Sequence, residues 1–467
     1  MKESRFNASS RIKELVTVWT SQASTRQRAG RAGRTSAGIC WRLYSEDFAN
    51  RWMPSATSPE IHRTPLDEML LQICLLYEQR RDKHITSGNE PQRDSKGVSP
   101  MRFLRKTPEP PPEESVVAAC CHLLEVGALT VTCHGPPILY RLTPLGYQLS
   151  RLPMDAKVGK VLIVGCMLQV LDNALTIAAA LSINRSCFEP RTNQVKADWD
   201  TIIQRRNRLI ESGFGGRDWK GGAVNGDMIA TIAIYDEWVR NETERARVSF
   251  CKTHRLDALV LNDIHRLREQ FRDCLLDAGF ASKGFAYYDK AKDDALLTSC
   301  CLVAGMYPNI CTLMRPRKGG SFKGGRLLTK EGHVCKPSPR SLQVDRIRNV
   351  SETGKDAYCV YLTKHRSVSV MGKNEKVYLS EVNFVSRFSL LLFGGDLEVK
   401  NNALIVDGWL KFKVEDKGKS NAVLIQELRK ELDRVMLKHV VYRDFESEMD
   451  KYSQQVLDII RQLLAEK

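Results

Sequence analysis

The run QRAGRAGR at residues 27–34 puts Arg28, Arg31 and Arg34 among the smallest side chains. On a helix, Gln27, Arg31 and Arg34 fall at i, i+4 and i+7 and share one face. The interleaved Ala29, Gly30, Ala32 and Gly33 would let that backbone lie close to a neighbour. Each glycine costs about 1 kcal/mol in a helix relative to alanine, so two of them call for a compensating role. A glutamine and two arginines aimed at one point suit a triphosphate: guanidinium groups stabilise charge on the transferred phosphoryl group, and glutamine orients the attacking water. The same residues also suit an exposed basic loop that touches phosphates without catalysis, or a localisation patch.

Around this run, LVTVW (15–19) and ICWRLYS (39–45) both read as strands. A strand, a helix and a strand cannot make a stable sheet, so residues 1–46 are expected to be the tail of a larger α/β domain, with a broken sheet edge. From Pro65 to Leu76 the apolar residues have helical spacing, and 77–100 reads as a polar loop or insertion. The cluster TPEPPPEE (107–114) fits a stiff entry into the next helix better than a polyproline ligand. A helix over 115–129 with Gly127 as its stop, a hairpin over 130–143 around Gly-Pro-Pro, and a helix from Pro144 together suggest a winged-helix module.

Residues 155–280 read as wholly helical around a Gly-rich loop at 211–227. Five runs beyond it read as short strands of a small barrel: 296–306, 357–364, 376–386, 390–395 and 403–414. Tyr361 and Phe384 in these runs could stack bases, but alternating strands more often bury such rings. Residues 421–467 return to an amphipathic helical pattern.

The chain has 467 residues and carries 71 Lys+Arg against 55 Asp+Glu, a net charge of +16 that favours a polyanionic partner. Residues 315–349 concentrate that charge, with ten Lys/Arg and two acids; Arg315, Arg317, Lys318, Lys323 and Arg326 are candidate backbone contacts for RNA or simply a solvated loop. No apolar run approaches the roughly 20 residues of a membrane span, and no signal peptide opens the chain. The fourteen cysteines lack any CxxC spacing, which points to reduced, buried thiols and no metal site.

WTSQASTRQRAGRAGRTSAGICWRLYS resembles motif VI and its flanks in DEAH-box RNA helicases. SPEIHRTPLDEMLL, LTPLGYQLSRLPMDAKVGKVLIVG, LLFGGD and VDGWLKF resemble that family's downstream segments, and the opening KESRFNASSRIKELVTVWTS is most similar to its translation-initiation subgroup. The resemblance implies a multidomain α+β chain. Its parts would be the end of a RecA-like domain (1–46), a winged helix with a polar insertion (47–154), a helical-bundle or ratchet domain (155–295), an OB-fold (296–415) and C-terminal helices (416–467). It further implies catalytic roles for Arg31 and Arg34, ATP contacts for Gln27, Arg31 and Arg34, a more structural role for Arg28, and single-stranded RNA as partner. A ribosome or ribonucleoprotein partner and a cytoplasmic or nuclear setting follow from the same likeness, with no membrane.

The departures from the family pattern define the alternative. No G-x-x-x-x-G-K-[ST] and no Asp-Glu-Ala-His run occurs, so ATP and Mg²⁺ are expected only beside a missing N-terminal helicase domain, and none is bound by this chain alone. Lys336-Pro337-Ser338-Pro339-Arg340 and Asn225-Gly226-Asp227-Met228 replace the family's His-Pro-Ser-Ser-Val and Ser-Asp-His-Leu. A non-enzymatic RNA-binding or ribosome-interaction module derived from a helicase is the second reading.

Overall fold

The computed structural model describes residues 2–7, 12–86, 97–133, 135, 137–183, 185–190, 199–213, 225–280, 284–314, 325–353, 357–367, 376–400, 403–413, 420–441 and 451–465. The chain opens with an antiparallel hairpin, β1 (Lys2–Asn7) and β2 (Ile12–Thr17), followed by two short helices, α1 (Gln22–Ala29) and α2 (Glu46–Trp52).

The next unit is α3 (Asp67–Thr86), α4 (Pro100–Leu104), α5 (Glu113–Val126), β3 (Leu129–Cys133), β4 (Leu139–Leu142) and α6 (Pro144–Arg151). Pro112, extended at φ −55° and ψ 137°, leads directly into α5, as a stiff entry requires. Gly127 closes α5 at φ +83°, a left-handed conformation that favours glycine, and β3 and β4 pair antiparallel. Helix α3 runs on to Thr86, into the run expected to be a polar loop, because Glu78, Gln79, Arg80 and Arg81 are good helix formers whatever their polarity.

Helices α7 (Ala156–Met167) and α8 (Leu171–Ile183) are buried along almost their whole length, which is why their apolar pattern has no polar stripe. Helix α9 (Trp199–Gly213), the two-residue strand β5 (Asn225–Gly226), α10 (Asp227–Arg240), α11 (Glu244–His254) and α12 (Ala258–Asp277) complete a bundle on them.

Helix α13 (Ala295–Met306) then leads to β6 (Ile310–Leu313), β7 (Leu327–Thr329), β8 (Val334–Pro337), α14 (Val344–Thr353), β9 (Tyr358–Val360), β10 (Lys364–Ser367), β11 (Lys376–Leu379) and β12 (Asn383–Val385). After α15 (Arg387–Phe393) come the meander β13 (Leu397–Lys400), β14 (Ala403–Val406) and β15 (Leu410–Lys413), then α16 (Ser420–Val441) and α17 (Lys451–Ala465).

Two of the expected strands are helices. Residues 296–306 fall in α13, started by Asp294, whose carboxylate accepts from the amides of Leu296 and Leu297. Residues 390–393 fall in α15, started by Ser386, whose hydroxyl accepts from the amide of Ser389. Both runs are buried on every side, so hydrophobicity alone carries no period.

The remaining strands divide between two sheets. One has the order β1-β2-β10-β11-β8-β7-β6-β9-β12-β5; β13-β14-β15 is separate. Within residues 1–46, β2 pairs with β1 on one side and, in parallel, with β10 on the other, and β1 stands at the end of the sheet order.

One continuous apolar core runs from Leu66 to Leu464 through both helical units, the meander and the C-terminal helices. A smaller core inside the large sheet holds Cys311, Leu327, Cys335, Ile347, Cys359, Tyr361, Leu379, Val382 and Phe384. Tyr361 and Phe384 are thus core residues. All fourteen cysteines are free, and ten are buried.

Candidate functional site

Helix α1 is anchored at its N-terminus and free at its C-terminus. The Ser21 hydroxyl accepts from the Ser24 amide and bonds the Thr57 hydroxyl at 2.9 Å. The Gln22 side chain donates to the carbonyls of Ala49 (2.8 Å) and Met53 (3.2 Å), and the amides of Gln22 and Ala23 donate to Pro54 and Ser55.

The helix stops at Ala29, and Gly30 caps it. The amides of Arg31 and Ala32 then donate three residues back, to Arg28 and Ala29, which is a turn and no longer α-helix. Only Gln27 of the expected helical face is on the helix. Arg31 lies in the turn and Arg34 in the bend beyond it. The helix has no buried residue, and Gly30 and Gly33 lie beyond its end, so neither carries the helix cost expected of it. Gln27, Arg28, Arg31 and Arg34 are all exposed, and none makes an ion pair or side-chain hydrogen bond among the described residues.

Residues 39–45 do not form the expected strand. Ile39, Trp41 and Leu43 keep the alternation of one strand face but are 78%, 83% and 100% exposed, with no neighbouring strand among the described residues. A strand needs a partner to satisfy its backbone, so the local pattern alone does not make one.

Of the basic candidates, Arg315, Arg317, Lys318 and Lys323 lie outside the described residues. Arg326 is exposed at the start of β7, and its carbonyl accepts from the amide of Met314.

The segment carrying Pro339 and Arg340 is held by a residue that the sequence pattern did not single out as functional. Asp227, 1% exposed, opens α10. Its carboxylate accepts from the amide of Leu342 (2.9 Å) and from the amide of Val382 (2.9 Å), while its own amide donates to the Val382 carbonyl (3.1 Å). The amide of Met228 donates to Asn383 Oδ1 at 2.9 Å. Gly226 is required there, because a Cβ would stand 2.1 Å from that same oxygen. One helix N-terminus thus fixes two loops of the large sheet.

Glu381 flanks this junction at φ +50°, beside Ser186 of the bundle and Arg340. Burial pushes the Glu381 carboxyl up to about 8, and the Asp227 charge adds to the shift. Burial also raises Asp227, against hydrogen bonds from Ser341, Val382 and Leu342. The folded state therefore holds a proton that the unfolded chain releases at ordinary carboxylate pH. Stability from this pair falls as pH rises through the window between the ordinary carboxylate value and about 8. Between pH 6.5 and 8 the thermal midpoint is expected to drop by about 2 °C, and Glu381→Gln to flatten that drop, as read by calorimetry across pH.

A crevice of about 480 Å³ lies where three units meet: Asp67 and His122, α12 at Gln270 and Phe271, and the strand end at Tyr361–Lys364. His122 Nδ1 is paired with the Asp67 carboxylate, and the buried Lys364 ammonium meets Glu331 at 3.0 Å.

Two sequence families match this chain. Residues 155–255 match the helicase associated domain (HA2), ratchet-like, and residues 402–466 match the C-terminal domain in RNA helicases. These matches place the chain among helicase-associated polypeptides.

Over nearly its whole length it is similar to the C-terminal region of DExH-box ATP-dependent RNA helicases. The DExH-box ATP-dependent RNA helicase DExH1 of Arabidopsis thaliana is 31% identical over 94% of this chain and 38% of its own length. The ATP-dependent DNA/RNA helicase DHX36 of Homo sapiens is 29% identical over 93% of this chain and 38% of its own. The putative ATP-dependent RNA helicase DHX57 of Mus musculus is 27% identical over 93% and 30%. The chain thus spans about a third of the length of these relatives. No described helix is long and apolar enough to cross a membrane.

Proposed function

We propose that this chain is the RNA-gripping portion of an ATP-driven RNA helicase, and that it lends Gln27, Arg31 and Arg34 to ATP bound on a P-loop domain. The observation that carries this reading is the state of QRAGRAGR. Three guanidinium groups and a glutamine stand exposed on a segment tied down through Ser21, Gln22 and Ala23. Guanidinium groups suit the charge that develops on a γ-phosphoryl group. The sequence holds no P-loop lysine and no Mg²⁺-positioning acid run, so ATP and Mg²⁺ belong to the P-loop domain. The exposed Ile39, Trp41 and Leu43 are apolar side chains that such a domain would cover.

In this reading 1–46 is the end of a RecA-like domain, 47–154 a winged helix, 155–295 the ratchet bundle, 296–415 an OB-fold and 416–467 terminal helices. Single-stranded RNA runs over the bundle and the large sheet. Arg326, Arg340 and the 315–324 segment meet its phosphates, in a cytoplasmic or nuclear ribonucleoprotein setting.

Titrating a single-stranded RNA of about 12 nucleotides against this chain at several salt concentrations tests the reading. Binding should weaken steeply with salt, and Arg340→Ala should lower the slope of log K against log salt by about one. Salt-independent binding, or none, would remove the RNA-gripping role.

A further inference from the structure

One face of α9 borders a cavity. Trp199, Ile203, Arg206, Asn207 and Ile210 recur at helical spacing and form one wall of a cavity of about 530 Å³. The opposite wall is residues 339–346 with Asn349, the segment that Asp227 holds through the Leu342 amide. The volume lies in the range of small-ligand sites, roughly 300–1,000 Å³.

The lining has a distinct chemistry. Trp199 supplies an indole whose Nε1 is buried and has no acceptor among the described residues. Arg206 is fixed, donating to the carbonyls of His254 (2.8 Å) and Arg255 (2.6 Å) with its guanidinium over the Phe188 ring. Arg346 lies over the Phe384 ring at 4.8 Å. Arg340 stands exposed at the mouth, and Asn207 and Asn349 bring amides from the two walls. Two of the three acids in the lining already have cations, Glu189 with Arg255 and Asp345 with Arg348. The cavity is left with excess positive charge, a planar apolar surface and amides that can both donate and accept.

That combination fits a nucleotide better than a bare phosphate or an apolar peptide. A bare phosphate has no use for the indole, and a peptide none for three arginines. Unstacked RNA bases are recognised by aromatic or guanidinium planes together with hydrogen bonds to their edges. We propose that this cavity takes one splayed base of a bound single-stranded RNA, with Trp199 as the stacking surface, Asn207 and Asn349 at the base edge, and Arg340 and Arg346 on the flanking phosphates. The proposal rests on the RNA-binding reading above, and it adds a base-sensing subsite to a surface otherwise read as contacting backbone.

The test compares wild type, Trp199→Ala, Trp199→Phe, Asn207→Ala and Arg340→Ala for binding of 12-nucleotide oligo(U) and oligo(A) across a salt series. Thermal melts are run in parallel. Trp199→Ala should weaken binding about tenfold at every salt concentration with the slope unchanged, because stacking releases no counterions. Trp199→Phe should retain most of the affinity. Asn207→Ala, on the exposed side of α9, should change the ratio of oligo(U) to oligo(A) affinity without moving the melt.

Arg340→Ala lowering affinity and slope while Trp199→Ala and Asn207→Ala bind both oligomers like wild type would overturn the base pocket and leave RNA binding intact. A wild-type chain that binds neither oligomer would overturn both. If Trp199→Ala loses its melt, Asn207→Ala decides alone: an unchanged base ratio overturns the pocket. Uridine monophosphate separates a strand from a free nucleotide: wild-type binding of it as tight as binding of the oligomer, lost in Trp199→Ala, would reassign the cavity to a free nucleotide and overturn the RNA source.

Discussion

Asp227→Leu is expected to lower unfolding stability by about 2–4 kcal/mol and to release the 339–343 segment. The substitution keeps the branching at Cγ, with methyl groups larger than the oxygens they replace, and removes the acceptor for two buried amides, those of Leu342 and Val382. A buried donor left without a partner costs roughly 1–3 kcal/mol. Part of that is offset, because a carboxylate whose pKa burial has raised no longer has to be desolvated. Asp227→Asn keeps one acceptor and should lose about half as much. Urea midpoints give the energies, and amide hydrogen exchange at Leu342 and Val382 shows where they act. Unchanged protection at both amides in Asp227→Leu would show that the carboxylate does not hold these loops. RNA affinity should fall along with that protection, since the loop carries Arg340.

In a helicase chain that carries both a P-loop and this segment, Arg34→Ala or Arg31→Ala should lower ATP turnover by about 10³-fold or more, with little change in KM. That magnitude is characteristic of guanidinium groups that meet transition-state charge in phosphoryl transfer. Arg28→Ala should cost less than tenfold, and Gln27→Ala should fall between them. In the present structure Arg31 and Arg34 are spread over a turn and a bend. Their convergence therefore depends on the nucleotide or the P-loop domain drawing them together. An enzyme in which Arg28→Ala is as damaging as Arg34→Ala would mean that the run acts as general positive charge and not through positioned fingers.

Much of the architecture is legible in local sequence. Gly127 as a helix stop, the Gly-Pro-Pro hairpin and the proline entry at 112 each act through backbone preferences that need no distant partner. The helices at 295–306 and 387–393 were misread because their side chains are buried all round and present no stripe; the capping residues Asp294 and Ser386 were the available signal. Residues 39–45 failed in the opposite sense, showing strand alternation where no strand lies alongside.

The Asp227 junction joins residues 115 and 155 positions apart, and no local pattern announces it. Similarly, the Trp199 wall is visible as a helical stripe, while the wall facing it comes from a segment about 140 residues further on. The conformation of the arginine run was not legible, because exposed glycines set no single local geometry for it.

The pairing of β2 with β10 has a mechanical meaning. The two strands share only two residue pairs, Lys364 with Ile12 and His365 with Lys13, and α1 begins five residues after β2 ends. The exposed arginine run and the sheet whose loop bears Arg340 are thus joined by a short spot-weld. A tug on one end is felt at the other through two rungs, so rotating the arginine segment must either drag the sheet along or break that weld. Under the proposed function, the hairpin would act as a crank between fuel and load.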